Sequence, residues 1–167
     1  MPLIDSLLPE YDHEMSVTRK LLERVPDEHL TWKPHEKSYT LGALAAHLAN
    51  IPTWVGWTLD SDMYDMDATP SDARNRQPVD RAQVLETFDR NVQAARAKML
   101  SRTDGELMTP WALKARGKVV FTMPKIAVLR SFVMNHVIHH RGQLSVYLRL
   151  RDVPLPMIYG PTADEAM

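Results

Sequence analysis

Residues 135–149 read Asn-His-Val-Ile-His-His-Arg-Gly-Gln-Leu-Ser-Val-Tyr-Leu-Arg, and the way this stretch must lie as a helix decides the architecture around it. At about 100° per residue, His136 and His140 fall about 40° apart and one turn along, so both rings can reach one point. Leu129, Phe132, Val133, Gln143 and Tyr147 project within about 60° of His136, which sets the histidine pair in the middle of a core-facing stripe. A buried imidazole without partners costs on the order of 1–3 kcal/mol per unsatisfied polar group. A metal ion removes that cost by taking the nitrogen lone pairs, and Gln143 or Tyr147 is available to orient the ring N–H groups. The pair alone fits two satisfied core histidines equally well, because two ligands do not make a metal site.

A third ligand has to come from this helix or another. His139 projects about 60° from His136 on the other side and reads as an edge residue or a support behind the ligands. His47 is the stronger candidate, because it shares a helical face with Ala43, Leu44, Ile51 and Trp54, an apolar stripe that must be buried. Inward histidines on different helices of one bundle can converge on one ion. Three imidazoles without a fourth protein ligand describe a site with open coordination positions. Zinc, nickel and ferrous iron all accept imidazole, so the ligands do not select one divalent ion.

Outward from this helix, apolar spacing marks three more. Ile4, Leu7, Leu8, Tyr11, Met15, Thr18, Leu22 and Val25 recur three and four apart and form a first amphipathic helix, ended by Pro26. His13 projects to its solvent face. A second helix is expected from Leu41 to Leu59, capped by Ser38 or Thr40 and kinked at Pro52. Residues 60–80, polar and carrying Pro70 and Pro78, read as a long loop, and loops of this length in compact domains are often functional or mobile. Asp80 caps a third helix from Arg81 to Leu100, whose stripe of Val84, Leu85, Phe88, Val92, Ala95 and Met99 reads as structural. Trp111–Lys114 and Lys118–Phe121 flank Ala115-Arg116-Gly117 and suggest a small hairpin. Thr122 is then the expected cap of the fourth helix, with Pro124 in its first turn and Pro154 and Pro156 beyond its end near Arg151. Four helices in one chain of 167 residues predict an all-α, four-helix bundle occupying residues 1–167 as a single domain.

Composition excludes several classes of function. There is no cysteine, so disulfides, thiolate ligands and cysteine nucleophiles are ruled out. Twenty basic residues against twenty-one acidic ones leave a net charge of −1, which argues against nucleic acid as a partner. No basic leader segment and no run of roughly 20 apolar residues is present, so a cytoplasmic protein with no membrane partner is expected.

Three stretches carry a family likeness: Tyr39–Ala49 (YTLGALAAHLA), Asn135–Arg149 (NHVIHHRGQLSVYLR) and Ile158–Glu165 (IYGPTADE). Through them the chain resembles the DinB family of damage-inducible, YfiT-like four-helix metalloproteins, in order and spacing over nearly its whole length. The resemblance implies an up-down-down-up bundle, one metal ion on His47, His136 and His140, and a homodimer. Thr162 stands where serine is expected. A second apolar arc on the fourth helix (Met134, Val137, Ile138, Leu144 and Leu148) needs burial, either against a second copy or within the helix's own bundle.

Three functions follow from open positions on a three-histidine ion. The wider superfamily that the chain resembles includes transferases and isomerases that use low-molecular-weight thiols, in which the metal lowers the pKa of the arriving sulfur. A hydrolase would use metal-bound water and a general base. Glu14 is the nearest candidate for that base, but it reads more readily as a surface carboxylate. A non-catalytic metal-binding stress-response protein is the third. A cavity beside the ion favours an enzyme, and a sealed ion favours a structural role. Trp54, Trp57 and Tyr147 are candidate walls for an apolar substrate.

Overall fold

The computed structural model describes residues 2–68 and 77–166. Helix α1 spans Leu3–Leu22 and buries Leu7, Tyr11, Met15 and Leu22 of the stripe read from the sequence. Helix α2 spans Leu41–Asn50, and Thr40, not Ser38, caps it by accepting the Ala43 N–H. Pro52 breaks the expected second helix rather than merely bending it. A short turn at Ile51–Thr53 leads to a separate helix α3, Trp54–Leu59, as the missing proline N–H requires.

Two of the sequence expectations for the middle of the chain need correction. The stretch read as a loop over 60–80 contains a strand, β1 (Met63–Asp65). It pairs in parallel with β2 (Pro110–Ala115), Met63 opposite Ala112 and Asp65 opposite Lys114. Three half-exposed residues give no readable alternation, and the partner strand is nearly fifty residues away. Residues 69–76 of that stretch, Pro70 included, lie outside the described residues.

Helix α4 spans Arg81–Leu100, with the Asp80 carboxylate accepting the Gln83 N–H at 2.8 Å. A short α5, Asp104–Leu107, carries a capping box between Thr103 and Glu106. The hairpin is present: β2 pairs antiparallel with β3 (Lys118–Pro124), giving a three-stranded sheet in the order β1-β2-β3. Arg116 and Gly117 turn it with φ of 52° and 71°, the two positive values that a two-residue hairpin turn needs. The Asp67 carboxylate accepts both of their N–H groups.

The second correction concerns the start of the last helix. Thr122 lies inside β3 and caps nothing, because the ladder continues to Pro110 opposite Pro124. The helix starts later, as α6 (Lys125–Val128), and Pro124 stands just before it rather than in its first turn. Six residues of wider π-helical backbone follow, Leu129–Met134, before α7 runs over Asn135–Arg149. Such a bulge is uncommon and is frequent next to functional residues; here it ends at Met134, two residues before His136.

The chain is thus mostly helical with one small sheet. Helices α1 and α2 each pack against both α4 and α7. One apolar cluster joins all four, from Ile4 and Leu44 to Phe88 and Leu148. Met134, Val137, Leu144 and Leu148 are at most 1 % exposed within this single chain. Four of the five residues of the second arc are therefore covered by the helix's own bundle, and Ile138 is only partly buried.

Candidate metal centre

His47 on α2 meets His136 and His140 on α7 where those two helices pack. The Nε2 atoms of His47 and His136 are 3.1 Å apart, and those of His136 and His140 are 2.9 Å apart. One ligand nitrogen from each of the three lies within 4.8 Å of the others. The i, i+4 spacing on α7 and the inward face of α2 bring them together as the sequence predicts.

The donor set fits a divalent cation better than it fits three imidazoles alone. The Nδ1 of His140 lies 2.7 Å from the Gln143 Oε1. Oxygen only accepts, so Nδ1 carries the proton and a neutral His140 presents a bare Nε2 to its neighbours. His136 Nε2 faces two nitrogens with one hydrogen or none, so at least one close N···N contact lacks a proton between its lone pairs. A cation between them removes the conflict. Imidazole nitrogens bonded to zinc at about 2.0–2.1 Å stand roughly 3 Å from one another, as these do. Burial, and after it the neighbouring imidazoles, lower the pKa of His47 and of His136 to about 4. That of His140 is also lowered, chiefly by burial and against the Gln143 hydrogen bond. At neutral pH all three offer lone pairs, as ligands must.

The other sequence candidates separate cleanly. Gln143 supports His140 directly. Trp54 stands edge-on to His136 at 4.8 Å and to His47 at 5.9 Å between ring centroids. His139 is exposed and touches the group only through its ring, 4.9 Å from that of His140. Tyr147 does not reach the site. It packs edge-on against Trp32 at 5.7 Å, because it lies two turns beyond His140. His13 is exposed, as expected.

In front of the three histidines opens a cavity of about 510 Å³. Six aromatic rings line it: Tyr39, Trp54, Trp57, Tyr64, Trp111 and Phe132. Trp57 stacks on Tyr64 at 4.9 Å and on Trp54 at 6.0 Å, which makes one continuous wall. Tyr39 stacks on His47 at 5.9 Å. Thr58, Met66, Leu113 and Val133 complete the lining. Among the described lining residues there is no carboxylate, ammonium or guanidinium. Sequence reading misses Tyr64 and Met66, which stand in the stretch taken for a loop. Trp111 and Leu113 carried a usable signal, since residues two apart on a strand share a face.

Glu14 is neither a surface carboxylate nor a base for this cavity. It is 5 % exposed, and its Oε2 lies 2.7 Å from Arg141, itself 1 % exposed. Arg141 also donates to the Glu14 carbonyl at 3.1 Å, and the Tyr159 hydroxyl bonds both members of the pair. The signal was present in α1: Glu14 lies three residues from Tyr11 and four from Thr18, on the buried stripe. No helix among the described residues is long and apolar enough to cross a membrane.

The chain is 28 % identical over 165 residues to YrdA, an uncharacterized protein of Bacillus subtilis, covering 97 % of this chain and 91 % of that one. Its fold is shared by the crystal structure of a DinB-like protein from Bacillus cereus, with a TM-score of 0.73 and 23 % identity over 93 % of this chain and 97 % of the other. A second DinB-like protein, YjoA from Bacillus subtilis, superposes with a TM-score of 0.68 at 20 % identity over 92 % and 97 % of the two chains. The DinB family model matches residues 4–166, and the chain therefore belongs to the DinB family.

Proposed function

We propose that the protein is a cytoplasmic, homodimeric metal-dependent enzyme, a single domain of residues 1–167, that transfers the sulfur of a small thiol to an electrophilic acceptor. The observation that carries this is a roomy aromatic cavity opening directly onto three convergent neutral imidazoles, with no carboxylate among its described lining residues. A divalent ion held by His47, His136 and His140 would supply Lewis acidity, which lowers the pKa of an arriving thiol. The imidazoles donate Nε2 lone pairs, Gln143 holds His140 in the required tautomer, and the aromatic walls hold the acceptor out of water. The thiol proton passes to solvent. The sulfur lone pair forms the new C–S bond, and the leaving group departs with the electrons of the bond it breaks.

A hydrolase would need a base beside the attacking water, and Glu14 is committed to Arg141. A purely structural ion would be sealed by core side chains, whereas this one would face open space. We further take the four main helices to run up, down, down, up. In support, α1 and α2 share neighbours α4 and α7, and the long 60–80 connection suits a crossover.

Elemental mass spectrometry on untagged wild type and on His47→Ala, His136→Ala, His140→Ala and His139→Ala tests the site. The expected result is about one ion per chain, lost in the first three variants and kept in the fourth. Conjugation assays with low-molecular-weight thiols then test the reaction. No bound metal, even after incubation with zinc or nickel, refutes the enzyme assignment; metal without thiol turnover refutes the transferase alone.

A further inference from the structure

We propose that the cavity in front of the three histidines takes an acceptor that is a flat aromatic molecule without a negative charge. This rests on the thiol-transfer function proposed above and adds to it the chemical class of the second substrate. The cavity has two chemically distinct ends. One is the histidine group, where a sulfur would arrive. The remainder consists of Tyr39, Trp54, Trp57, Tyr64, Trp111 and Phe132 with three apolar side chains and Thr58.

Three observations restrict what that remainder can hold. Trp57 lies nearly parallel to Tyr64, at 8° between ring planes, and within 19° of Trp54. A wall of such rings favours planar partners that stack or meet it edge-on. Two polar groups of the lining are taken up internally: the Thr58 hydroxyl donates to the Trp54 carbonyl at 2.8 Å, and the Trp111 indole N–H to the Trp57 carbonyl at 3.4 Å. The buried Tyr64 hydroxyl has no partner among the described residues and can bond a neutral polar substituent of the ligand. No described lining residue carries a charge that could pair with one on the ligand. An anionic group placed there would leave water with only the negative faces of the rings to meet it, which is costly, whereas those faces attract a cation. At about 510 Å³ the space exceeds by roughly threefold the 150 Å³ apolar cavity that accepts benzene, so one or two fused rings fit beside the sulfur.

Equilibrium dialysis with three nitroarenes of similar size tests the assignment: neutral 4-nitroanisole, anionic 4-nitrobenzoate and cationic 4-nitrophenyltrimethylammonium. Each is measured on the protein with its metal and after chelation, because a carboxylate can also bind the ion itself. In the chelated protein 4-nitroanisole and the cationic probe are each expected to bind saturably and at least about tenfold more tightly than 4-nitrobenzoate. 4-Nitroanisole should keep saturable binding in the loaded protein. Trp57→Ala, at a residue 39 % exposed, should weaken the neutral probe severalfold. Met66→Lys, at a lining residue 36 % exposed, should improve 4-nitrobenzoate by providing the missing counter-charge. Equal or tighter binding of 4-nitrobenzoate to chelated wild type, or no saturable binding of 4-nitroanisole, overturns the inference. Neutral-probe binding without thiol turnover would refute the transferase and leave the aromatic site standing. Thiol turnover confined to anionic acceptors would do the reverse.

Discussion

The buried pair of Glu14 and Arg141 sets up the sharpest test of how the histidine helix is held. Arg141 follows His140 directly, and its guanidinium reaches α1 at Glu14 and Thr18 and the C-terminal segment at Tyr159. Side-chain exposure is 1 % for the arginine and 7 % for the glutamate, so neither charge has water to fall back on. Glu14→Gln keeps the shape but leaves the guanidinium buried without its counter-charge, a loss of about 3–5 kcal/mol. In a chain of this size each kcal/mol shifts Tm by about 2–4 °C, which predicts a fall of roughly 6–20 °C. Arg141→Met should cost a similar amount, because it strands the carboxylate. The double variant leaves no buried charge at this pair and should lie within about 2 kcal/mol of wild type. Urea unfolding of all four proteins closes the cycle. Single losses below about 1 kcal/mol, or a double loss equal to the sum within about 0.5 kcal/mol, would refute the claim that each charge serves as the other's counter-charge.

Four further outcomes are expected. Gln143→Leu removes the acceptor that orients His140 and should weaken metal binding about 10–100-fold in a competition with a chromogenic chelator; an unchanged affinity would contradict the support role. In the chelated protein, His47 and His136 stay neutral down to about pH 4, whereas in the unfolded chain they take up protons near pH 6.5. Acid therefore favours unfolding between those values, and above pH 6.5 these groups leave stability unchanged. The urea midpoint should fall from pH 6.5 towards 4 more steeply in chelated wild type than in a His47→Gln/His136→Gln variant, and parallel curves would rule this out. Asp80→Ala should cost about 1 kcal/mol in thermal melts through loss of the α4 cap. Gly117→Val places a branched side chain at a φ of +71° and should destabilise the hairpin, visible as faster amide exchange in β2 and β3.

Local chemistry made much of this protein legible from residues alone. Helix α4 ran between the limits read from its stripe and its Asp80 cap, since periodicity and a side-chain cap both act within a few residues. The hairpin turned at Arg116-Gly117, where local backbone preference decides. His136 and His140 shared a face because a helix has a fixed period, and the apolar neighbours of His47 already told that it faces inward. What tertiary structure alone decided depended on partners far away in the chain. Strand β1 exists because β2 offers it a free edge, and three half-exposed residues cannot announce that. Thr122 is a strand residue because its ladder with β2 outlasts the sequence signal for a cap. Trp57 and Tyr64 became one aromatic wall, and Glu14 and Arg141 one buried pair 127 positions apart, only when packing set their surroundings. Burial gives a side chain its chemistry, and burial is settled by every helix that packs around it.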